Sequence, residues 1–237
     1  MCASTPFSQR WPPRPDSMVI FPPLTDFVAL ACIALVASTA CLYLPGLTSG
    51  SPGRANVRGR WLAAICFVGM WLPVGAVPLP VAAYVRGITS DLSIPLIVLA
   101  GLSLYGRLFG LKTFDLREHK LVFLAATAAA LFLYPLALGL GDWDAYRSGW
   151  GSAGMWASLL LMCMGCWLAG FRLLPLLIAL ALLAWTAHLL ESNNLWDYLL
   201  DPWLACVAVF HTLRTCVQKL QDRRPRVRSG VMAPPVP

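Results

Sequence analysis

The residues of this chain best suited to chemistry lie in one stretch, "HLLESNNLWDYLLDPWL", residues 188–204. His188 and Glu191 are three apart, so on a helix they share a face and could pair. Asp197 and Asp201 are four apart, which on one continuous helix sets both carboxylates on one face. Together the four side chains could form an outward-facing acidic pocket. Oxygen-rich sites of that kind suit a divalent cation or a cationic substrate. A quieter account uses the same residues as helix ends. Asp201 directly precedes Pro202, the order of an N-cap followed by proline at the first helical position. Asn194, with Asp197 three residues on, fits the cap of a short turn beginning at Leu195. Acids at a helix N-terminus also suit its positive dipole end, and the capping account is preferred.

Other motifs carry less. "GDWDAYRSGWGSAG", 141–154, holds Asp142 and Asp144 in an Asp-x-Asp pair that could serve a metal at a phosphate. The same residues read more simply as a glycine-rich polar turn with interfacial tryptophans, in which Arg147 could pair with Asp144. "WLPVGAVPLP", 71–80, interrupts a charge-free run with Pro73, Gly75, Pro78 and Pro80. Broken helices sometimes mark transporter sites, but more often they are kinks, or the helix simply ends. "CMGC", 163–166, has redox spacing, yet a thiol in so apolar a run resists ionisation and packs instead. His211 is expected to pack with a hydrogen bond. No Gly-x-Ser-x-Gly, His-Glu-x-x-His or phosphate loop occurs, the halves show no repeat, and no cofactor is called for.

These residues must be positioned by apolar helices. Of 237 residues, 58% are hydrophobic and only 12% charged, with a mean hydropathy of +0.68. An average soluble domain carries about a quarter charged residues. The composition therefore predicts an all-α, polytopic membrane helix bundle of about seven transmembrane helices. The apolar runs are 27–44, 61–85, 92–106, 121–140, 155–171, 173–190 and one within 195–213. The last offers few strongly apolar residues after Pro202. It must therefore begin near Leu195 or continue past Arg214 toward Leu220.

Charge sets the orientation. Loops 45–60 and 107–120, Arg172 and the segment after 213 carry three, four, one and six basic residues. The alternate side, namely the N-terminal segment, Arg86, loop 141–154 and connection 191–201, carries two, one, one and none. Eight of the 11 acids lie on that second side. The positive-inside rule then predicts an N-terminus outside and a C-terminus inside a bacterial cytoplasmic membrane. The domain plan is a disordered segment 1–24, a helical domain 25–213 and a basic cytoplasmic tail 214–237. Met18 is a second possible start, and "VASTAC" fits a processing site less well than an uncleaved first span. Positive charge gathered beside membrane spans argues against nucleic acid and for anionic lipid at the tail. The cysteines fall in apolar runs or near the chain ends, unlike a disulfide framework.

The functional expectation is a non-enzymatic accessory or assembly component of an envelope pathway, partnered by other membrane proteins. The rivals are an outward-facing membrane enzyme or lipid-substrate handler built on His188, Glu191, Asp197 and Asp201, and a small permease using the 71–80 break.

Overall fold

A computed structural model of the chain describes residues 24–44, 55–111 and 114–222. The described residues form an all-α structure. Its helices are α1 Leu24–Cys41, α2 Val57–Gly69, α3 Val81–Thr89, α4 Ile94–Phe109, α5 Leu116–Ala137, α6 Ala153–Leu168, α7 Leu173–Thr186, α8 Leu195–Leu199 and α9 Pro202–Asp222. A 3-10 helix spans Ala145–Trp150, and a small antiparallel hairpin pairs β1 Pro73–Val74 with β2 Leu79–Pro80. The disorder expected of 1–24, both possible starts and most of the basic tail lie outside the described residues.

Leucine- and alanine-rich runs make the helices, and local chemistry stops them. The Asn56 side chain accepts from Gly59 N–H at the start of α2, and Ser152 Oγ accepts from Met155 N–H at the start of α6. Gly110 and Gly170 close α4 and α6 in the left-handed conformation. At 1.5 Å per residue, α5 is about 33 Å long and α7 about 21 Å. Helix α5 is long and apolar enough to cross a membrane, and α1, α4, α6 and α7 are shorter apolar helices.

The core gathers on α7, which packs against α4, α5, α6 and α8 and buries Leu173, Leu177, Ile178, Ala181 and Ala184. Outside the core, the exposed helix faces are apolar too. Trp61, Ile65 and Val68 of α2, Leu161, Trp167 and Leu168 of α6, and Phe210 and Leu213 of α9 all stand exposed, Leu168 at 84%.

Two sets of hydrogen bonds mark the two ends of this bundle. At one, the starts of α1, α4 and α9 meet α3, α8, the 3-10 helix and the chain after α7. At the other, Arg107 Nη1 donates to Leu42 O at 3.2 Å, and Ala55 N–H donates to Arg107 O. There, too, Glu118 of α5 accepts from Arg172 N–H and Leu173 N–H at the start of α7. We call the first the acidic end and the second the basic end.

One sequence expectation needs correction. Residues 61–85 are not one helix: α2 stops at Gly69, and Gly75, at φ +85°, turns the chain through the hairpin into α3. The short turn expected at Leu195 and the helix start expected at Asp201–Pro202 are both present, as α8 and α9. The rival reading, one continuous helix carrying Asp197 and Asp201 on one face, is not, because extended backbone at Leu200 and then Pro202 break it. Helix α9 runs past Arg214 to Asp222, the second of the two ways open to the last apolar run.

Candidate functional site

The acidic end holds the four candidate residues, but on separate elements. Helix α7 ends at Thr186, and His188 sits beyond it in a left-handed turn at φ +50°. Leu189 N–H donates to Ala184 O and His188 N–H to Trp185 O, so His188 occupies the closing position usually given to glycine. Its ring is exposed and makes no hydrogen bond or ion pair with any described residue, Glu191 included.

Glu191 instead joins a cluster centred on Arg86, near the end of α3. That guanidinium reaches Asp26 at 2.6 Å, Asp91 at 2.7 Å and Glu191 at 2.9 Å. Its own side chain is 17% exposed. Asp91 holds the charge most strongly, with Asp26 adding to it, and the guanidinium pKa rises despite partial burial. Asp91 also accepts from Glu191 N–H at 3.2 Å. One arginine thereby joins α1, α3, the link before α4 and the chain after α7.

Asp201 is 4% exposed and bridges two helix starts. Its Oδ1 accepts from Leu204 N–H at 2.7 Å, which caps α9, and its Oδ2 accepts from Ser93 N–H at 2.7 Å beside α4. The capping role read from the Asp-Pro pair is present, and a second tie accompanies it.

Asp197 lies on α8, so it shares no helix face with Asp201. Its Oδ2 accepts from Tyr146 Oη at 2.7 Å and from Ser192 Oγ, while Ser192 Oγ accepts from Asn194 N–H. Asn194 is fully buried: its Oδ1 accepts from Trp196 N–H to cap α8, and its Nδ2 donates to Tyr146 O at 2.9 Å. Trp196 Nε1 donates to Ala145 O and Ser148 Oγ. Gly149 lets these parts meet, since a Cβ there would overlap Asn194 Oδ1 and come within 2.7 Å of Trp196. Burial, then the hydrogen bond to Asp197, pushes the Tyr146 phenol up to about 12. Burial likewise raises Tyr198, whose hydroxyl accepts from Leu190 N–H and donates to Leu190 O.

The remaining candidates lie apart. Asp144 Oδ1 accepts from Tyr146 N–H and caps the 3-10 helix, Asp142 is exposed, and Arg147 pairs with neither. Among the described residues no group of three His, Cys, Asp or Glu side chains converges as metal ligands. The 71–80 break lies at the acidic end rather than mid-helix. Tyr84 Oη closes it against Val74 O and Val77 O. Cys163 and Cys166 are free and partly buried in α6, and His211 stacks on Phe123 at 4.6 Å.

Arg86, Asp26, Asp91 and Tyr146 gained no role from sequence, because most of their partners lie far along the chain. The available signal was Arg86 itself, a single arginine on the acid-rich side with Asp91 five residues on.

Chemically, the arrangement fastens. Glu191, Asp197 and Asp201 each accept hydrogen bonds from groups that hold the end of the bundle together. Compared with known proteins, the chain matches no family model, no curated protein and no solved structure.

Proposed function

We propose that this chain is a multi-pass protein of a bacterial cytoplasmic membrane. In this reading α1, α2, α4, α5, α6, α7 and α9 are its seven crossings, the acidic end lies outside, and the basic end lies inside. Support comes from the exposed apolar faces of α2, α6 and α9, which lipid would cover. Two groups of loops, sorted by charge, also coincide with the two sets of end-to-end hydrogen bonds. Helices α3 and α8, too short to cross, would lie at the outer surface.

Within that membrane the chain acts as a non-enzymatic accessory or assembly component of an envelope pathway. One observation carries this choice over an outward-facing enzyme: Glu191, Asp197 and Asp201 are each bonded to a neighbouring element, and none is bonded to His188. A general acid or base needs a group within reach of substrate, whereas these carboxylates hold backbone and side-chain donors. The permease reading is less favoured, because residues 71–80 form a hairpin that Tyr84 Oη bonds at two carbonyls. The basic residues of the inner end and tail would rest on anionic lipid.

Cross-linking in intact membranes tests the role. The expected result is a reproducible partner among the membrane proteins. A chain that purifies alone and cross-links to nothing would overturn it.

A further inference from the structure

A cavity of about 550 Å³ opens to one side between α5 and α6. Ala125, Ala126 and Ala129 of α5 face Met155, Leu159 and Met162 of α6 across it, and Leu177 of α7 lies behind. Along α5 the lining runs from Val122 to Phe132, about 15 Å of helix. Towards the acidic end it reaches Trp143, Ser148 and Ser152, where the Trp143 and Phe132 rings lie 5.8 Å apart. Neither His188 nor any of Glu191, Asp197 and Asp201 lines it.

We propose that this cleft holds one acyl chain of an outer-leaflet phospholipid with a phosphoethanolamine-type headgroup, seated by Asp142, Asp144 and Arg147. The inference rests on the membrane reading but not on the accessory role. Ordered water needs two to four polar partners, and these walls are almost wholly apolar. An empty cleft would forfeit the dispersion contacts of its lining. Hydrocarbon from the bilayer fills it at no such cost. A partner helix fits poorly, since one turn about 10 Å wide and 5.4 Å high occupies roughly 400 Å³. A helix could therefore insert only one face, whereas a slimmer acyl chain can lie along the whole lining.

The headgroup follows from charge. An apolar cleft gives lipid chains little selectivity inside a bilayer, because the competing solvent is equally apolar. Selectivity must come from the rim. Trp143 and Ser148 line the cleft, and Asp142, Asp144 and Arg147 adjoin them in the chain, all exposed. Arg147 has no hydrogen bond or ion pair with any described residue, and Asp144 engages only its Oδ1. One guanidinium suits a phosphate, and two carboxylates suit a primary ammonium. A purely anionic headgroup would instead meet two like charges.

Native mass spectrometry of the full-length protein, delipidated in mild detergent, tests this with dioleoyl phosphatidylethanolamine and dioleoyl phosphatidylglycerol as probes. The expected result is one retained phosphatidylethanolamine, preferred over phosphatidylglycerol. Asp142→Asn, on the surface, should cut that preference by about tenfold, as a charge-assisted contact to the ammonium is lost, whereas Arg147→Gln should weaken retention of both lipids, which share the phosphate. Ala129→Phe, which fills the cleft, should abolish retention, and the milder Ala126→Val should weaken it if the first variant misfolds. Equal retention of both lipids, or retention undiminished in the filled variants, would overturn the proposal. So would capture of a partner helix through Ala129→Cys. Labelling that placed both ends on one face would sink the membrane reading itself, and it is scored independently of lipid counts.

Discussion

At the acidic end Arg86 makes all three ion pairs found among the described residues, with Asp26, Asp91 and Glu191. At the basic end Arg58, Arg117, Lys120, Arg172, Arg214 and Lys219 make none. The acidic end is assembled from short pieces: α3, α8, the hairpin and the 3-10 helix. None of these is long enough to be stable alone, so side chains must fasten them. The basic end is helix termini and connections, tied by Ala55 N–H, the Arg107 guanidinium and the Glu118 carboxylate, each bonded to backbone and none to an opposite charge. Those six cations stand exposed. One end fastens itself with ion pairs, and the other leaves most of its cations unpaired.

The contrast breaks most readily at Asp201. Asp201→Ala removes the α9 cap and leaves Ser93 N–H buried without its acceptor, at a cost of about 2–4 kcal/mol in denaturant unfolding in mild detergent. Asp201→Asn should recover part of this, since the amide oxygen still accepts one bond. Gly149→Ala comes next. It drives a methyl into Asn194 and Trp196 and should cost about 1–3 kcal/mol, read as a lower melting temperature.

Arg86→Gln leaves Asp91 and Asp26 without their cation and should cost about 1–3 kcal/mol. Its counterpart at the basic end, Arg214→Gln, should stay within about 0.5 kcal/mol. Equal costs for this pair would remove the contrast between the ends.

Tyr146→Phe sharpens the comparison through pH. The folded phenol titrates near 12, above its ordinary 10, because burial and Asp197 favour the protonated form. Its stabilising share is therefore complete below 10 and is lost as pH rises from 10 to about 12. The variant should lose about 1 kcal/mol at neutral pH. It should also unfold less steeply than the parent between those two values.

Much of the acidic end was readable because capping is local. Asp201 before Pro202 and Asn194 before Leu195 announce helix starts, and both cap where the spacing places them. The helices were readable from apolar runs, although their ends moved where the closing residue was unusual. His188 ends α7 without glycine, so the sequence extended that helix to 190. Arg86 was opaque, since its partners Asp26 and Glu191 lie 60 and 105 residues away. Tyr146 and Asp197 are 51 apart, and nothing local links them. Pairing at such distances depends on how helices stack, which residue periodicity does not encode.

The central claim is that the two ends occupy opposite faces of a membrane. In a cysteine-free background, Asn193→Cys and Arg117→Cys can be treated separately with an impermeant maleimide in intact cells. Asn193→Cys should label at once, and Arg117→Cys only after permeabilisation. Labelling of both in intact cells, or the reverse order, would contradict the account.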